Sequence, residues 1–238
     1  TGVILYLNGL PRATHKWTFG AATVLLGVSL LGVAASDDDT RVSGAYLAFT
    51  SALMVWAWQE IGFLLGYVTG PRRIACPSGA RGWRRVGFAV LAILYHELAL
   101  IVLGAAIALL SWGQPNQLAL WTFAVLWLMR LSAKLNVFLG VRNLNEQFLP
   151  EHLRYMHSYF RQRPGNALFP VTVIAITALA AAAWHSAVAS SLGVFDATAC
   201  SFVAMLLSLA LLEHWFMVLP LPSEKLWDWG MRSRAPHA

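Results

Sequence analysis

The sequence predicts an all-α protein, a polytopic bundle of transmembrane helices, and three observations lead to this prediction. Of the 238 residues, 58% are hydrophobic and only 12% are charged, whereas about 25% of the residues in an ordinary soluble domain are charged. Six stretches each contain the roughly 20 mostly apolar residues that a spanning helix needs. Basic residues collect in alternate connections between these stretches. A soluble domain is therefore excluded, and so is a disordered chain, which requires low hydrophobicity.

The six predicted spans follow one another along the chain with polar connections between them. They cover residues 17–35, 44–69, 86–111, 118–141, 169–191 and 197–219. The connections contain acidic residues, glycine and proline, which separate helices, at 37–39, 70–73 and 114–116. In the second span, Gly62, Gly66 and Gly70 recur at four-residue spacing. This spacing of small residues lets a second helix approach closely.

Residues 1–7 form one more apolar run, which is followed by Asn8, Gly9 and Pro11. We interpret the run as the end of a further span that begins before residue 1. A secretory signal is disfavoured because no basic region precedes the apolar run. The expected architecture is therefore six full spans plus the end of an N-terminal seventh, in a single integral-membrane domain over residues 1–238.

The distribution of Lys and Arg predicts orientation, because cytoplasmic loops carry an excess of these residues. Fourteen of them fall in segments 8–16, 70–85, 142–168 and 220–238, whereas only Arg41 falls in the connections on the opposite side. We therefore expect these four segments, and with them the C-terminus, on the cytoplasmic side of the membrane. The net charge of +6 then matches the anionic headgroups of the lipid bilayer, and no nucleic-acid partner is implied.

Residues 143–163 differ from the other connections because apolar residues at helical spacing alternate with basic and histidine side chains. Leu153, Met156 and Phe160 recur three and four residues apart, and Pro150 suits a first helical position. We expect a short helix lying at the cytoplasmic interface. Its candidate residues for docking a partner are His152, Arg154, His157 and Arg161.

Ionisable side chains within the predicted spans are the candidate functional residues. They are Glu60, His96, Glu97, Arg130, Lys134, Glu213 and His214. A charge at the bilayer centre costs about 2.5–3.5 kcal/mol on insertion scales, so such groups usually face one another or a cavity. With a rise of 1.5 Å per residue, they lie roughly 10–18 Å inside the cytoplasmic boundary. We therefore expect one buried polar layer contributed by four helices.

Two interpretations of this layer remain open. It is either an ion-pair network, with Arg130 and Lys134 as the cations and the histidines as hydrogen-bond partners, or a pocket for a ligand, metal or proton. In the second case Arg130 and Lys134 are buried charge partners of the binding residues. The candidate ligand- or metal-binding residues are Glu60, His96, Glu97, Glu213 and His214.

The residue types in the layer limit its chemistry. Three carboxylates and two histidines could hold a single metal ion, whereas a carboxylate-bridged di-iron centre needs about four carboxylates and two Glu-x-x-His pairs. Here each histidine is adjacent to a glutamate, so the two side chains cannot point the same way on a helix. A neutral imidazole could also ligate the magnesium of a chlorophyll-type pigment. Cys76 and Cys200 are too few for a disulfide framework or a four-thiolate zinc site.

Several stretches of the chain resemble one known family. They are WQEIGF at 58–63, GPRR at 70–73, YHEL at 95–98, RLSAKLN at 130–136, GVRN at 140–143, LEHWF at 212–216 and LPLP at 219–222. The chain resembles the PuhE family of photosynthetic complex assembly proteins over nearly its whole length. Members are encoded beside the reaction-centre H subunit in anoxygenic phototrophic bacteria.

The resemblance implies a role in building the reaction-centre and light-harvesting apparatus or in supplying its bacteriochlorophyll. It implies photosynthetic subunits or pigment-biosynthesis enzymes as partners, and bacteriochlorophyll or a precursor as a ligand, but it provides no catalytic residues. Our leading hypothesis is a non-enzymatic assembly factor that holds a tetrapyrrole or a partner's transmembrane helix. The alternatives are a metal-dependent membrane enzyme of pigment metabolism and a proton-coupled transporter, although the sequence contains no inverted repeat.

Overall fold

The computed structural model describes residues 2–144, 148–189, 193–220, 225 and 228–234. The helices within these ranges are α1 (Gly2–Gly9), α2 (Arg12–Ser36), α3 (Val42–Leu64), α4 (Gly82–Leu110), α5 (Leu118–Leu139), α6 (Leu168–Val188), α7 (Val194–Phe216) and α8 (Asp228–Met231). Short 3₁₀ helices cover Glu151–Tyr159 and Arg232–Arg234. In the described ranges, α2 to α7 are the six helices long and apolar enough to cross a membrane. This confirms the predicted fold class, and the protein is a membrane protein.

The ends of the spanning helices depart from the predicted bounds by up to five residues. α2 begins at Arg12 rather than at residue 17, and α7 covers Val194–Phe216 rather than 197–219. α3 ends at Leu64 rather than at residue 69, because Gly66 adopts the left-handed conformation with φ of 82°, which ends a helix. The Gly66 amide donates to the Phe63 carbonyl at 2.9 Å, and the Val68 amide donates to that of Gly62 at 3.0 Å. α4 begins at Gly82, four residues before the predicted start. The last two residues of the predicted 169–191 span lie outside the described residues.

The apolar run at the start of the chain is helical over Gly2–Gly9 and packs against α8. The side chain of Leu5 is buried, and the Asn8 side-chain amide donates to the carbonyl of Leu64 at the end of α3, at 2.6 Å. α1 is thus tied to the bundle where α3 ends. That it continues a further span stays a prediction.

The connections group at two ends of the bundle, as the predicted topology requires. At one end, Asn116 is buried and its side-chain amide donates to the carbonyls of Ser36, at 2.7 Å, and Asp39, at 3.1 Å. An open cavity beside it, of about 680 Å³, is lined by the starts of α3 and α7, including Arg41 and Asp196. At the other end, which we call the 3₁₀ end, the Glu151–Tyr159 helix packs against α4.

The core of the bundle lies between α2, α3, α4 and α5. Small side chains on α3 allow close contact with its neighbours; they are Ala45, Ala48 and Ala52, all buried. Val55, Leu100 and Phe123 continue this core toward α4 and α5. Many large apolar side chains point outward instead, among them Val102 on α4 and Ile174 on α6, as expected for helices that face lipid rather than water.

The interfacial segment forms a 3₁₀ helix rather than the expected α-helix. Its buried side chains are Leu153, Met156 and Tyr159, which stand three residues apart and share one face because a 3₁₀ helix has three residues per turn. Phe160, predicted as the third apolar contact, lies just after the helix and is half-buried. Residues 145–147 of the predicted 143–163 segment lie outside the described residues.

Candidate functional site

Arg130 and Glu60 form the centre of the candidate site. Arg130 extends from the middle of α5 and meets Glu60, which lies in the last turn and a half of α3. The guanidinium donates from Nε to Glu60 Oε1 at 3.1 Å and from Nη2 to Oε2 at 2.7 Å. Two parallel hydrogen bonds of this kind fix the geometry of an arginine–carboxylate pair. The Glu60 side chain is 12% exposed and that of Arg130 is 37% exposed, so the carboxylate is the enclosed partner of the pair.

Glu213 completes a triad, but it lies on the outside of the bundle. Arg130 Nη1 donates to Glu213 Oε1 at 3.3 Å, and the Glu213 side chain is 56% exposed. The prediction of a fully buried layer is therefore wrong at this position. Neighbouring residues of a helix point about 100° apart, and since His214 points inward, Glu213 points outward.

A second ion pair lies beside the triad. Lys134, one turn after Arg130 on α5, donates from Nζ to Glu97 Oε1 on α4 at 2.6 Å. Both side chains are about one quarter exposed. The five charged residues predicted from the sequence are therefore brought together in two adjacent groups.

Glu60 and Glu213 lie closer to the helix ends than the sequence predicts. Glu60 lies four residues before the end of α3, and Glu213 lies three residues before the end of α7. These separations correspond to about 5–6 Å along the helix axis. The predicted depth of roughly 10–18 Å is larger because it is counted from Pro71 and Pro220, which lie beyond the ends of α3 and α7.

The two intramembrane histidines are buried at different places. His214 is 1% exposed, and its ring is held at both nitrogens: Nε2 lies 2.9 Å from Ser132 Oγ, and Nδ1 lies 2.8 Å from the Ala210 carbonyl. His96 is 2% exposed and its ring packs against Phe63, with 4.7 Å between centroids. Neither imidazole opens to the outside of the bundle, where a chlorophyll-type pigment would need an accessible ring nitrogen.

The geometry offers no support for the metal-ion hypothesis. Throughout the part of the chain that the structure describes, no three His, Cys, Asp or Glu side chains form a group that could hold a metal ion. Glu60 and Glu97, two of the predicted ligands, instead accept hydrogen bonds from cationic side chains. The arrangement is that of an ion-pair network with one exposed carboxylate.

The predicted docking residues occupy the 3₁₀ end in different ways. Arg154 is exposed, whereas His152 and His157 are half-buried and the ring of His157 lies near Phe160. Arg161 holds the segment to α5 through its backbone, since its amide donates to the Val137 carbonyl at 3.4 Å. Of the four, Arg154 presents its side chain most openly for a partner; docking itself stays a prediction.

His152 should make the stability of the 3₁₀ end depend on pH. Burial lowers the pKa of His152 below its usual value, and the nearby charge of Arg12 lowers it further. The folded protein therefore binds fewer protons than the unfolded chain just below the usual pKa of about 6.5. The stability that neutral His152 contributes is fully present above this pH and is lost as the pH falls. Thermal unfolding in detergent at about pH 7.5 and about pH 5.5 measures the loss.

His152→Gln should reduce this loss, because a glutamine takes up no proton. His185 is exposed on α6, so His185→Gln is the matched control and should leave the pH dependence unchanged. Parallel pH profiles for the wild type and His152→Gln would contradict the assignment.

The side chains that hold the 3₁₀ segment are not evident from the sequence. Arg85 is buried and donates to the carbonyl of Tyr159 and, at 3.4 Å, to that of Phe138. Arg72 Nε donates to the Tyr159 hydroxyl at 2.8 Å, and this hydroxyl donates to the Ile74 carbonyl at 3.0 Å. In the sequence both arginines indicate only topology, apart from the place of Arg72 in the GPRR stretch at 70–73. Tyr159 falls on the same three-residue stripe as Leu153, which was the available signal.

Two asparagine side chains at the 3₁₀ end donate hydrogen bonds to helix-end carbonyls, and neither contact is predicted from the sequence. The Asn143 side-chain amide donates to the carbonyls of Phe216, at 2.8 Å, and Leu219, at 2.5 Å, and so caps the end of α7. Asn166 donates to the carbonyls of Asn136 and Gly140 at the end of α5. Helix ends leave carbonyl groups without partners. Both asparagines are distant in sequence from the helix end that they cap, so the sequence alone does not indicate these contacts.

Comparisons with known proteins place the chain in a family. The family model described as "Protein of unknown function (DUF3623)" matches residues 1–238. A protein of Rhodobacter capsulatus described as "Uncharacterized 30.4 kDa protein in puhA 5'region" is 43% identical over 242 residues, covering 98% of this chain and 86% of the relative. No solved structure matches the chain. Since the family model and the relative both match across nearly the whole length, the chain belongs to the DUF3623 family.

Proposed function

We propose that this protein is an assembly factor for photosynthetic complexes in the bacterial cytoplasmic membrane, with its C-terminus on the cytoplasmic side. Its task in this proposal is to hold a transmembrane helix of a reaction-centre or light-harvesting subunit, or of an enzyme that supplies bacteriochlorophyll. The held helix packs against the α7 surface that carries Glu213, with Arg130 of α5 beside it.

The observation that carries the proposal is the exposure of charge on the outside of spanning helices. The Glu213 side chain is 56% exposed and that of Arg130 is 37% exposed. Charged side chains within membrane helices usually face the bundle interior or a water-filled cavity, because exposing them to lipid is costly. A partner helix with a hydrogen-bond donor at the same depth removes this cost.

The surface around Glu213 suits such a helix. Met205, Leu209 and Leu212 are about half exposed and lie at the spacing that forms one helix face with Glu213. The triad of Glu60, Arg130 and Glu213 carries a net charge of −1. Within the described residues only Oε1 of Glu213 accepts a hydrogen bond, so Oε2 is available to a donor on the partner. An apolar stripe that ends in a carboxylate favours an apolar helix with one basic or amide side chain.

The family relationship supports a photosynthetic partner. The relative from Rhodobacter capsulatus is named for the puhA 5' region, and the resemblance to the PuhE family implies a gene beside the reaction-centre H subunit. The concentration of Lys and Arg in alternate connections supports the orientation.

Site-specific photocrosslinking in membranes of a photosynthetic bacterium tests the proposal. A benzophenone amino acid at Leu209 should form an adduct with a photosynthetic subunit or a pigment-biosynthesis enzyme, identified by mass spectrometry. Glu213→Gln should lower the yield by about threefold, because hydrogen bonds between membrane helices average about 0.6 kcal/mol. Val102 on α4 is comparably exposed and is the matched control position, where this adduct should be absent.

Two outcomes would contradict the proposal. One is the same adduct at Leu209 and at Val102, which would indicate non-specific proximity in a crowded membrane. The other is an adduct yield at Leu209 that Glu213→Gln leaves unchanged, which would remove the carboxylate from the recognition of the partner.

A further inference from the structure

Three buried polar side chains at the junction of α3 and α4 have polar atoms without a hydrogen-bond partner. They are Gln59, Thr69 and His96, each at most 2% exposed. The atoms concerned are Gln59 Oε1, Thr69 Oγ1 and His96 Nδ1. Most buried polar groups in proteins have a partner, either a protein group or an ordered water. Three such atoms within one small region therefore point to a bound molecule.

Backbone contacts hold the three residues together. The Gln59 side-chain amide donates from Nε2 to the carbonyl of His96 at 3.3 Å. The amide of His96 donates in turn to the carbonyl of Thr69 at 2.9 Å. The turn that follows α3 thus inserts a non-helical backbone segment against the middle of α4. Within a membrane protein, irregular backbone is tolerated where it is enclosed by protein or lines a hydrated cavity.

A route from the 3₁₀ end leads to this junction. The hydroxyl of Tyr155 lies within hydrogen-bonding reach of that of Thr69, although the two do not form a hydrogen bond of ideal geometry. Tyr155 belongs to the 3₁₀ segment and is half-buried. Tyr155 therefore places a polar group between the surface of the 3₁₀ end and Thr69, whose carbonyl contacts the His96 amide.

We propose that Gln59, Thr69 and His96 form a water-binding site inside the bundle, reached from the 3₁₀ end past Tyr155. Water fits the available groups: it donates to the Gln59 carbonyl oxygen, and it exchanges hydrogen bonds with the Thr69 hydroxyl and with His96 Nδ1. A buried water typically makes about three hydrogen bonds. The charged side chains of Glu60, Arg130 and Lys134 act electrostatically on His96.

Hydroxyl-radical footprinting of the protein in nanodiscs tests the site, because radicals made from water label side chains that contact that water. His96 and His214 are a matched pair inside one molecule. Both are histidines and both are at most 2% exposed, but the His214 ring has partners at both nitrogens. We expect labelling of His96 to exceed that of His214 several-fold. Equal labelling of the two rings would overturn the proposal without any variant being made.

Removing the polar atoms tests the assignment of the ligands. In Thr69→Val, and separately in Gln59→Leu, labelling of His96 should fall toward the level of His214, while the melting temperature reports that the bundle remains folded. Thr69→Ser keeps the hydroxyl and should retain wild-type labelling. If a folded Thr69→Val variant is labelled like the wild type, water at this site is not the source of the label and the proposal fails.

Discussion

Replacing Arg130 by methionine should lower the free energy of unfolding by about 3 kcal/mol, the lower end of the usual cost of removing one partner from a buried ion pair, because the Arg130 side chain is itself 37% exposed. The substitution leaves Glu60, only 12% exposed, without the two hydrogen bonds that its carboxylate accepts from Arg130. Unfolding in detergent micelles, followed by circular dichroism as a denaturing detergent is added, measures the change.

Glu213→Gln is the matched control from the same triad. Its contact with Arg130 is longer, at 3.3 Å, and its side chain is mostly exposed. Exposed ion pairs contribute about 0–1 kcal/mol, so we expect a loss below about 1 kcal/mol. Equal losses for Arg130→Met and Glu213→Gln would contradict the assignment of Glu60 as the enclosed partner. A stable Glu213→Gln variant is also what the crosslinking experiment requires.

The double variant Glu60→Met/Arg130→Met separates the cost of an unpaired charge from the contribution of the pair. Replacing a buried ion pair by apolar residues of similar volume is often neutral or stabilising. The double variant should therefore recover most of the stability that Arg130→Met loses. If the stability loss of the double variant equalled the sum of the losses of Glu60→Met and Arg130→Met, the two side chains would not be coupled. That result would conflict with their contact.

The spanning helices follow from composition, but the end of α3 does not. An apolar run of about 20 residues has few alternatives in a membrane, so six spans could be predicted without any tertiary information. Leu64 and Leu65 continue the apolar run of α3 toward Thr69, and hydropathy therefore extends the helix through Gly66. The break depends on the left-handed conformation of Gly66. Gly66 also packs against the 3₁₀ segment, where a Cβ on Gly66 would lie 3.0 Å from the His152 ring.

The residues of the candidate site could be predicted from the sequence, but which of their side chains face outward could not. Ionisable residues in apolar spans are rare and usually meet one another, which is why Glu60, Arg130 and Lys134 could be grouped. The outward direction of Glu213 depends on the rotation of α7 about its axis, and all faces of that helix are apolar. Hydropathy contains no information on this rotation. The contact of Arg85 could not be predicted for a related reason. The sequence does not distinguish a basic residue at a helix end that faces lipid headgroups from one that donates to a carbonyl such as that of Tyr159.

The three regularly spaced glycines show how one pattern can have a different cause. The four-residue spacing predicts a smooth helix surface for a neighbour, yet Gly66 and Gly70 lie beyond the end of α3. Gly70 does lie in close contact with α4, but it belongs to the turn after α3 rather than to a helix. The amide of Arg72 donates to the carbonyl of Leu91 at 3.3 Å, so the contact at Gly70 also positions the backbone hydrogen bonds on either side of it.

Gly70→Ala should therefore destabilise the protein by about 3 kcal/mol, the upper part of the range for overpacking a buried site. A Cβ at this position would lie 2.2 Å from the Leu91 carbonyl oxygen and 2.6 Å from the carbonyl carbon of Ala92. These are backbone atoms of α4, so no side-chain rotation relieves the clash and the turn must move away. Detergent-induced unfolding measures the loss, and hydrogen exchange at the His96 and Arg72 amides reports whether the turn has separated from α4.

Gly87→Ala is the matched control, because the same substitution on α4 places its Cβ in open space. Alanine favours a helix over glycine by about 1 kcal/mol, so this variant should be neutral or slightly more stable. A Gly70→Ala variant as stable as Gly87→Ala, with unchanged exchange at His96, would show that the turn does not press against α4. The hydrogen bond from His96 to Thr69 depends on that contact, and with it the geometry that brings Gln59, Thr69 and His96 into one site.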